Sequence, residues 1–287
     1  MREARGGAGR SLRNVSLVNL APGVFAWLQE RPDHGLPNAG LVLEADGATV
    51  VDSLCVPSQY EPFATAAEEF GFPLRRLVLT GDHIEFAGGT SRFKLAAIYG
   101  SESASAHLDQ PPNPAVYRAL YPAVADEFAD DLVTRPVSHV VADATRLTQA
   151  LTVLPAVGQS ARNLVVHVPD AGVLFGGALC SFGVTPLAFD GDPGAWATTL
   201  NELAALAPLV VPGRGPVGGE EELAAQAAYL RVCVAAAGDP ARMPSGPWDT
   251  WTGRHWDEVN VERAAMLAAG HDPNEPPPSM LRAAGLG

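Results

Sequence analysis

Leu77–Gly89 reads LVLTGDHIEFAGG: three residues suited to a strand, Leu77, Val78 and Leu79, run into a polar turn closed by two glycines. Directly after Thr80 come Asp82, His83 and Glu85, the chain's densest group of proton carriers and possible metal ligands. An apolar run breaking into such a loop puts these side chains at the end of a strand, on a segment free to carry chemistry.

The neighbouring sequence builds a frame around this loop. Val24–Gln29 and Leu41–Val51 read as strands, the second folded on itself at the Asp46-Gly47 hairpin signal and ending in Val51-Asp52-Ser53. Ser58 and Glu61 have the spacing of a capping box that opens a helix through Phe70, with Gly71 suited to the left-handed stop. Strand, helix and strand make a βαβ unit delivering its last strand to the loop. Two further turns lie downstream: Val157–Cys180, VGQSARNLVVHVPDAGVLFGGALC, and Val210–Val217, VVPGRGPV.

At these three places the chain resembles the metallo-β-lactamase superfamily. The loop looks like that family's T-H-x-H-x-D-H-x-G-G, whose His and Asp side chains hold one or two zinc ions. Thr80, Gly88 and Gly89 keep the frame, while Gly81 stands at the first His, His83 at the second, Glu85 at the Asp and Phe86 at the last His. Val157–Cys180 resembles the family's G-H-[ST]-x-x-[SN] turn, hairpin and strand ending in G-D, with Gln159 for the His and Ala178 for the bridging Asp. Val210–Val217 resembles the P-G-H-G-P turn with Arg214 in the His position. The resemblance implies an α+β fold, a four-layer αββα sandwich. It also implies ancestry among hydrolases that attack lactams, lactones and thioesters with zinc-bound hydroxide.

Zinc requires three or four N, S or O donors at roughly 2.0 to 2.3 Å. His83 and Glu85 supply two, and Arg214 is a permanent cation where a dication would be. The expectation is therefore a site without metal and a protein without cofactor. Asp82, Glu85 and Arg214 are then able to satisfy one another or an anionic ligand.

Two readings of the remaining polar residues stand. In one, His83 and Glu85 are an acid/base pair, with Asp82, Gln159 and Arg214 binding substrate and holding an oxyanion, for a lyase, cyclase or isomerase type of reaction. In the other they are relics in a non-catalytic ligand-binding or regulatory protein, the old pocket either binding a ligand or filled by Arg214 and Phe86. A hydrolase with a remodelled metal site built from Asp82, His83 and Glu85 is a third. Cys180 is a candidate nucleophile only with a stabilised thiolate.

The rest of the chain reads as alternating elements. Tyr117–Phe128 suggests a short lid helix. Val137–Ala142, Leu151–Val157, Leu164–Val168 and Val173–Phe175 suggest strands. Asp192-Pro193 caps a helix through Leu206, Leu209–Val211 is a strand, and Glu220–Ala237 is an amphipathic helix closed by Gly238. Residues 1–14 read as a disordered arm, 15–238 as the domain, and 239–287 as an extension strapped onto it. In that extension Trp248, Trp251 and Trp256 wall the pocket or a dimer contact, so a homodimer is one expectation.

The 287 residues are 47% hydrophobic and 18% charged, enough for a sizeable core. A net charge of -13 argues against nucleic acid or an anionic membrane as partner and leaves a small molecule as the expected ligand. An odd cysteine count without a C-x-x-C pair, and a basic first segment without an apolar continuation, suggest reduced thiols and a cytoplasmic location.

Overall fold

The computed structural model describes residues 17–286, and the elements below are those of the described residues. The arm expected over residues 1–14 lies outside them. One sheet holds β1 (Leu17–Ala21), β2 (Val24–Trp27), β3 (Ala39–Glu44), β4 (Gly47–Val51), β5 (Leu74–Val78), β6 (Ala97–Gly100) and β7 (His139–Val140), side by side in sequence order. Pairing is antiparallel as far as β4 and parallel beyond it. The second sheet runs β12 (Leu209–Arg214), β11 (Val173–Ser181), β10 (Asn163–Val168), β9 (Thr152–Ala156), β8 (Thr145–Arg146), with β11 and β12 parallel.

Side-chain alternation sorts these strands into layers. Leu77 and Leu79 turn outward to Phe63 and Ala67 of helix α1 (Pro57–Glu68). Val78 turns inward, where it meets Val42, Leu164, Val166, Phe175 and Val211 between the sheets. The second sheet mirrors this: Val165, Leu174 and Val210 face outward onto Trp196, Leu200, Leu223 and Leu230 of two further helices, Pro193–Leu203 and Glu220–Ala235. Helix, sheet, sheet, helix is the sandwich that the resemblance implied. No helix of the described residues is long and apolar enough to cross a membrane.

The parallel pairs aim their carboxyl ends at one place. β4 and β5 end at Asp52 and Thr80, β11 and β12 at Ser181 and Arg214, and the two ends touch. Thr80 Oγ1 donates to Asp52 Oδ2 at 2.7 Å and accepts the Ala178 N–H at 2.9 Å, and Asp52 Oδ1 accepts the Thr80 N–H at 2.7 Å. Gly177 makes that approach possible: its φ is +47°, and a β-carbon there would lie 2.1 Å from Thr80 Oγ1.

The C-terminal segment packs on the second sheet's helices. Val261 of the helix Asp257–Ala268 enters the outer core, Asn260 bonds the Pro186 carbonyl, the Ala188 N–H and Tyr229, and buried Arg263 donates to the Gly191 carbonyl at 2.8 Å. The tryptophans are spent on packing: Trp248 and Trp251 lie against Tyr229, and Trp256 against His34 and Val259.

Several local expectations fail for identifiable reasons. Ser58 and Glu61 do not cap α1, whose N-cap is Val56 with Pro57 at N1; Ser58 instead donates its N–H and Oγ–H to Glu127 at 2.9 and 2.7 Å. The single lid helix is broken at Pro122 into the helix Pro114–Leu120 and a 3-10 stretch Pro122–Glu127. The strand expected over Val137–Ala142 pairs only at His139–Val140. The strand starting at Val173 runs on to Ser181, wholly buried, so Cys180 lies inside it.

Candidate functional site

Among the residues singled out in the sequence, Glu85 and Arg214 meet. Glu85 opens the short helix Ile84–Ala87, and Arg214 ends β12; both are fully buried. The Arg214 Nε and Nη2 groups grip the two Glu85 oxygens in a bidentate pair, with Nε to Oε1 at 3.1 Å. Nη1 reaches Ser181 Oγ at 3.3 Å, and the guanidinium lies 5.2 Å over the Phe86 ring. The Gly35 N–H donates to Glu85 Oε1 at 2.6 Å and Tyr121 O–H donates to Oε2 at 3.1 Å. Burial alone would raise the Glu85 carboxyl; the Arg214 charge and its hydrogen bonds outweigh that and hold it at about 2.

His83 belongs to a different network. Its Nε2 lies 3.3 Å from Asp190 Oδ2 and 4.0 Å from Asp82 Oδ1, and its ring stacks on Phe189 with centroids 4.9 Å apart. Burial by itself would lower this imidazole; Asp190, through charge and hydrogen bond, and then Asp82 outweigh it and raise it to about 9. His83 is thus an imidazolium at neutral pH, partnered by Asp190 and Asp82 rather than by Glu85. Burial raises the Asp82 carboxyl above its ordinary value.

Gln159 is fully buried, and neither Oε1 nor Nε2 has a hydrogen-bond partner among the described residues. Its Oε1 sits 3.1 Å from where a β-carbon on Gly81 would be. That same β-carbon would lie 2.7 Å from the Ala178 methyl, so the stations of the family's first His and bridging Asp are packed against each other. Cys180 is buried and its thiol is pushed far up by that burial, which leaves it inert as a nucleophile.

The residues that sequence reading missed are Asp190, Tyr121, Ser181 and His34. His34 is buried, bonds the Thr185 carbonyl through Nε2 at 2.9 Å, and is lowered to about 3 by burial first and the Arg214 charge second. Asp190 stands two residues before the helix cap Asp192, a turn position that gave no sign of chemistry.

The space around these groups is small. A concavity bounded by Asp82, Ile84, His107 and Tyr117 holds about 10 Å³, roughly one water. A groove of about 1050 Å³ lies at the other end of β5, along Phe72, Arg75, Arg92 and Leu95.

The fold and the meeting of strand ends define the class: this is the metallo-β-lactamase fold. Solved structures similar to it include the metallo-β-lactamase FIM-1 from Pseudomonas aeruginosa in its mono-zinc form, at 20% identity and TM-score 0.58 over 80% of this chain and 97% of that one. The metallo-β-lactamases from Hirschia baltica (20% identity, TM-score 0.58, 75% and 97%) and Pontibacter korlensis (19%, 0.59, 76% and 99%) are similar in the same way. At such identity the likeness is one of fold. No protein-family model matches the chain.

The fold family's zinc centre does not fit the residues at its stations. Glu85 is neutralised by Arg214, Gly81 and Ala178 offer no donor and close on each other, and Phe86 lies under the guanidinium. Glu85 therefore drops out of the remodelled metal site imagined with Asp82 and His83.

Proposed function

We propose that this chain is a non-hydrolytic protein on a metallo-β-lactamase fold, its former catalytic centre turned into a core, acting through binding or regulation rather than through turnover at that centre. The observation that carries this reading is the bidentate Glu85–Arg214 pair, fully buried and further saturated by Gly35 and Tyr121. A carboxylate with both oxygens engaged is neither a free base nor a metal ligand, and a guanidinium so held is not offered to an oxyanion. The similar structures are named as metallo-β-lactamases, one in a mono-zinc form; that chemistry needs an open metal position, which Glu85 and Arg214, engaged with each other, do not supply.

A second reading, metal-free proton transfer by His83, has one observation in its favour: the His83–Asp190 contact, whose carboxylate side chain is one-third exposed. Assays of purified protein with lactam, lactone and thioester substrates, with and without added zinc, decide between them. The first reading predicts no turnover above background in either condition. Zinc-dependent hydrolysis would overturn it, and zinc-independent turnover lost in His83→Gln would favour the second.

A further inference from the structure

Asp82, His83 and Asp190 are brought together by two separate segments, the loop after β5 and the turn before Asp192, and each contributes a donor atom to one small space. Those three atoms lie within 4.8 Å of one another, the one group of its kind among the described residues. The Nε2 to Oδ2 and Nε2 to Oδ1 separations are 3.3 and 4.0 Å. An ion with bonds near 2.1 Å in tetrahedral geometry spaces its donors by about 3.4 Å.

Proximity of two carboxylates to an imidazole also describes a simple ion-pair cluster, and the hydrogen bonding argues against that. Asp82 is 94% buried (6% exposed), yet its Oδ1, facing His83, has no hydrogen-bond partner among the described residues. Asp190 Oδ1 is likewise unpaired. A buried carboxylate oxygen left unmatched is costly, so such groups point to a partner that completes them. Two carboxylates outweigh one imidazole in charge, and a dication balances them.

We propose that Asp82, His83 and Asp190 bind a single divalent transition-metal ion, the His83 Nε2 proton being released to solvent, at a site that shares only the His83 station with the fold family's positions. Mixed imidazole and carboxylate donors suit zinc among the common ions. The partly exposed Asp190 leaves a side of the ion open to water, while Glu85, held by Arg214, takes no part. The proposal goes beyond the non-hydrolytic reading and does not depend on it: a bound ion here could serve structure or ligand binding.

The test is zinc titration of the whole chain after chelator treatment, by calorimetry and elemental analysis, with imidazole nitrogen resonances followed by NMR. The expected result is one zinc per chain, a shift of the His83 ring nitrogen, and an affinity at least about 100-fold weaker in Asp190→Asn and in Asp82→Asn, larger than the loss typical of outer-shell changes. Glu275→Gln, which alters the exposed His271–Glu275 pair, leaves the affinity unchanged. No zinc bound by the wild-type chain, or zinc that shifts other histidines and not His83, overturns the proposal. So does affinity that survives both Asp variants, whose folding is checked by thermal melts.

Discussion

Glu85 and His83 stand two residues apart on one loop and end in opposite circumstances. Glu85 is sealed in: both oxygens are engaged by a guanidinium, a backbone N–H and a phenol, and nothing about it faces solvent. His83 leans on carboxylates from two segments, one of them partly exposed, with a buried oxygen beside it left unmatched. The contrast teaches how two neighbouring acidic stretches of one loop can be balanced differently. A fixed cation, Arg214, neutralises Glu85 in one half, while the other half keeps donor atoms that are not used up.

The sharpest way to break the comparison is to remove the cation from the sealed half. Arg214→Met leaves Glu85 buried and uncompensated and should cost about 3 to 5 kcal/mol in urea unfolding. The double variant Glu85→Gln with Arg214→Met should recover most of that loss, and equal losses in both would show that the pair is not what holds the loop.

Acidification probes the same half from the side of His34. Its folded value near 3 lies below the ordinary 6.5, so the unfolded chain takes up a proton that the fold refuses. The His34 contribution to stability is then full above about 6.5 and falls as pH drops toward 3; Glu85, near 2 against 4.5, adds a further loss only below 4.5. His34→Gln should flatten the loss between pH 6.5 and 4.5, measured as urea midpoints across that range.

A smaller effect is expected where the stations have closed on each other. Gly81→Ala puts a methyl 2.7 Å from Ala178 and should cost about 1 to 3 kcal/mol by overpacking. Asp190→Asn should be smallest, about 1 kcal/mol or less, because that carboxylate is partly in water. A large loss there would mean that the two halves are not separate.

Much of the architecture was legible because strand alternation and turn residues carry it. Val78 between Leu77 and Leu79 reads directly as a strand with two buried faces, and the Thr80, Gly88 and Gly89 frame marks where it ends. The Glu85–Arg214 contact was also within reach, as one of the ways those charges could satisfy one another. Asp190 was not: its link to His83 spans more than a hundred residues and depends on how the turn after β11 folds back, which no local pattern encodes. The false cap at Ser58 failed for the same reason, since Glu127 competes from far along the chain.

Anomalous scattering at the zinc edge from crystals soaked in zinc tests the central claim most directly. The account predicts no ion within bonding distance of Glu85 and Arg214 still paired with it, any peak lying instead among Asp82, His83 and Asp190. An ion coordinated by Glu85, with the Arg214 side chain swung away, would contradict it.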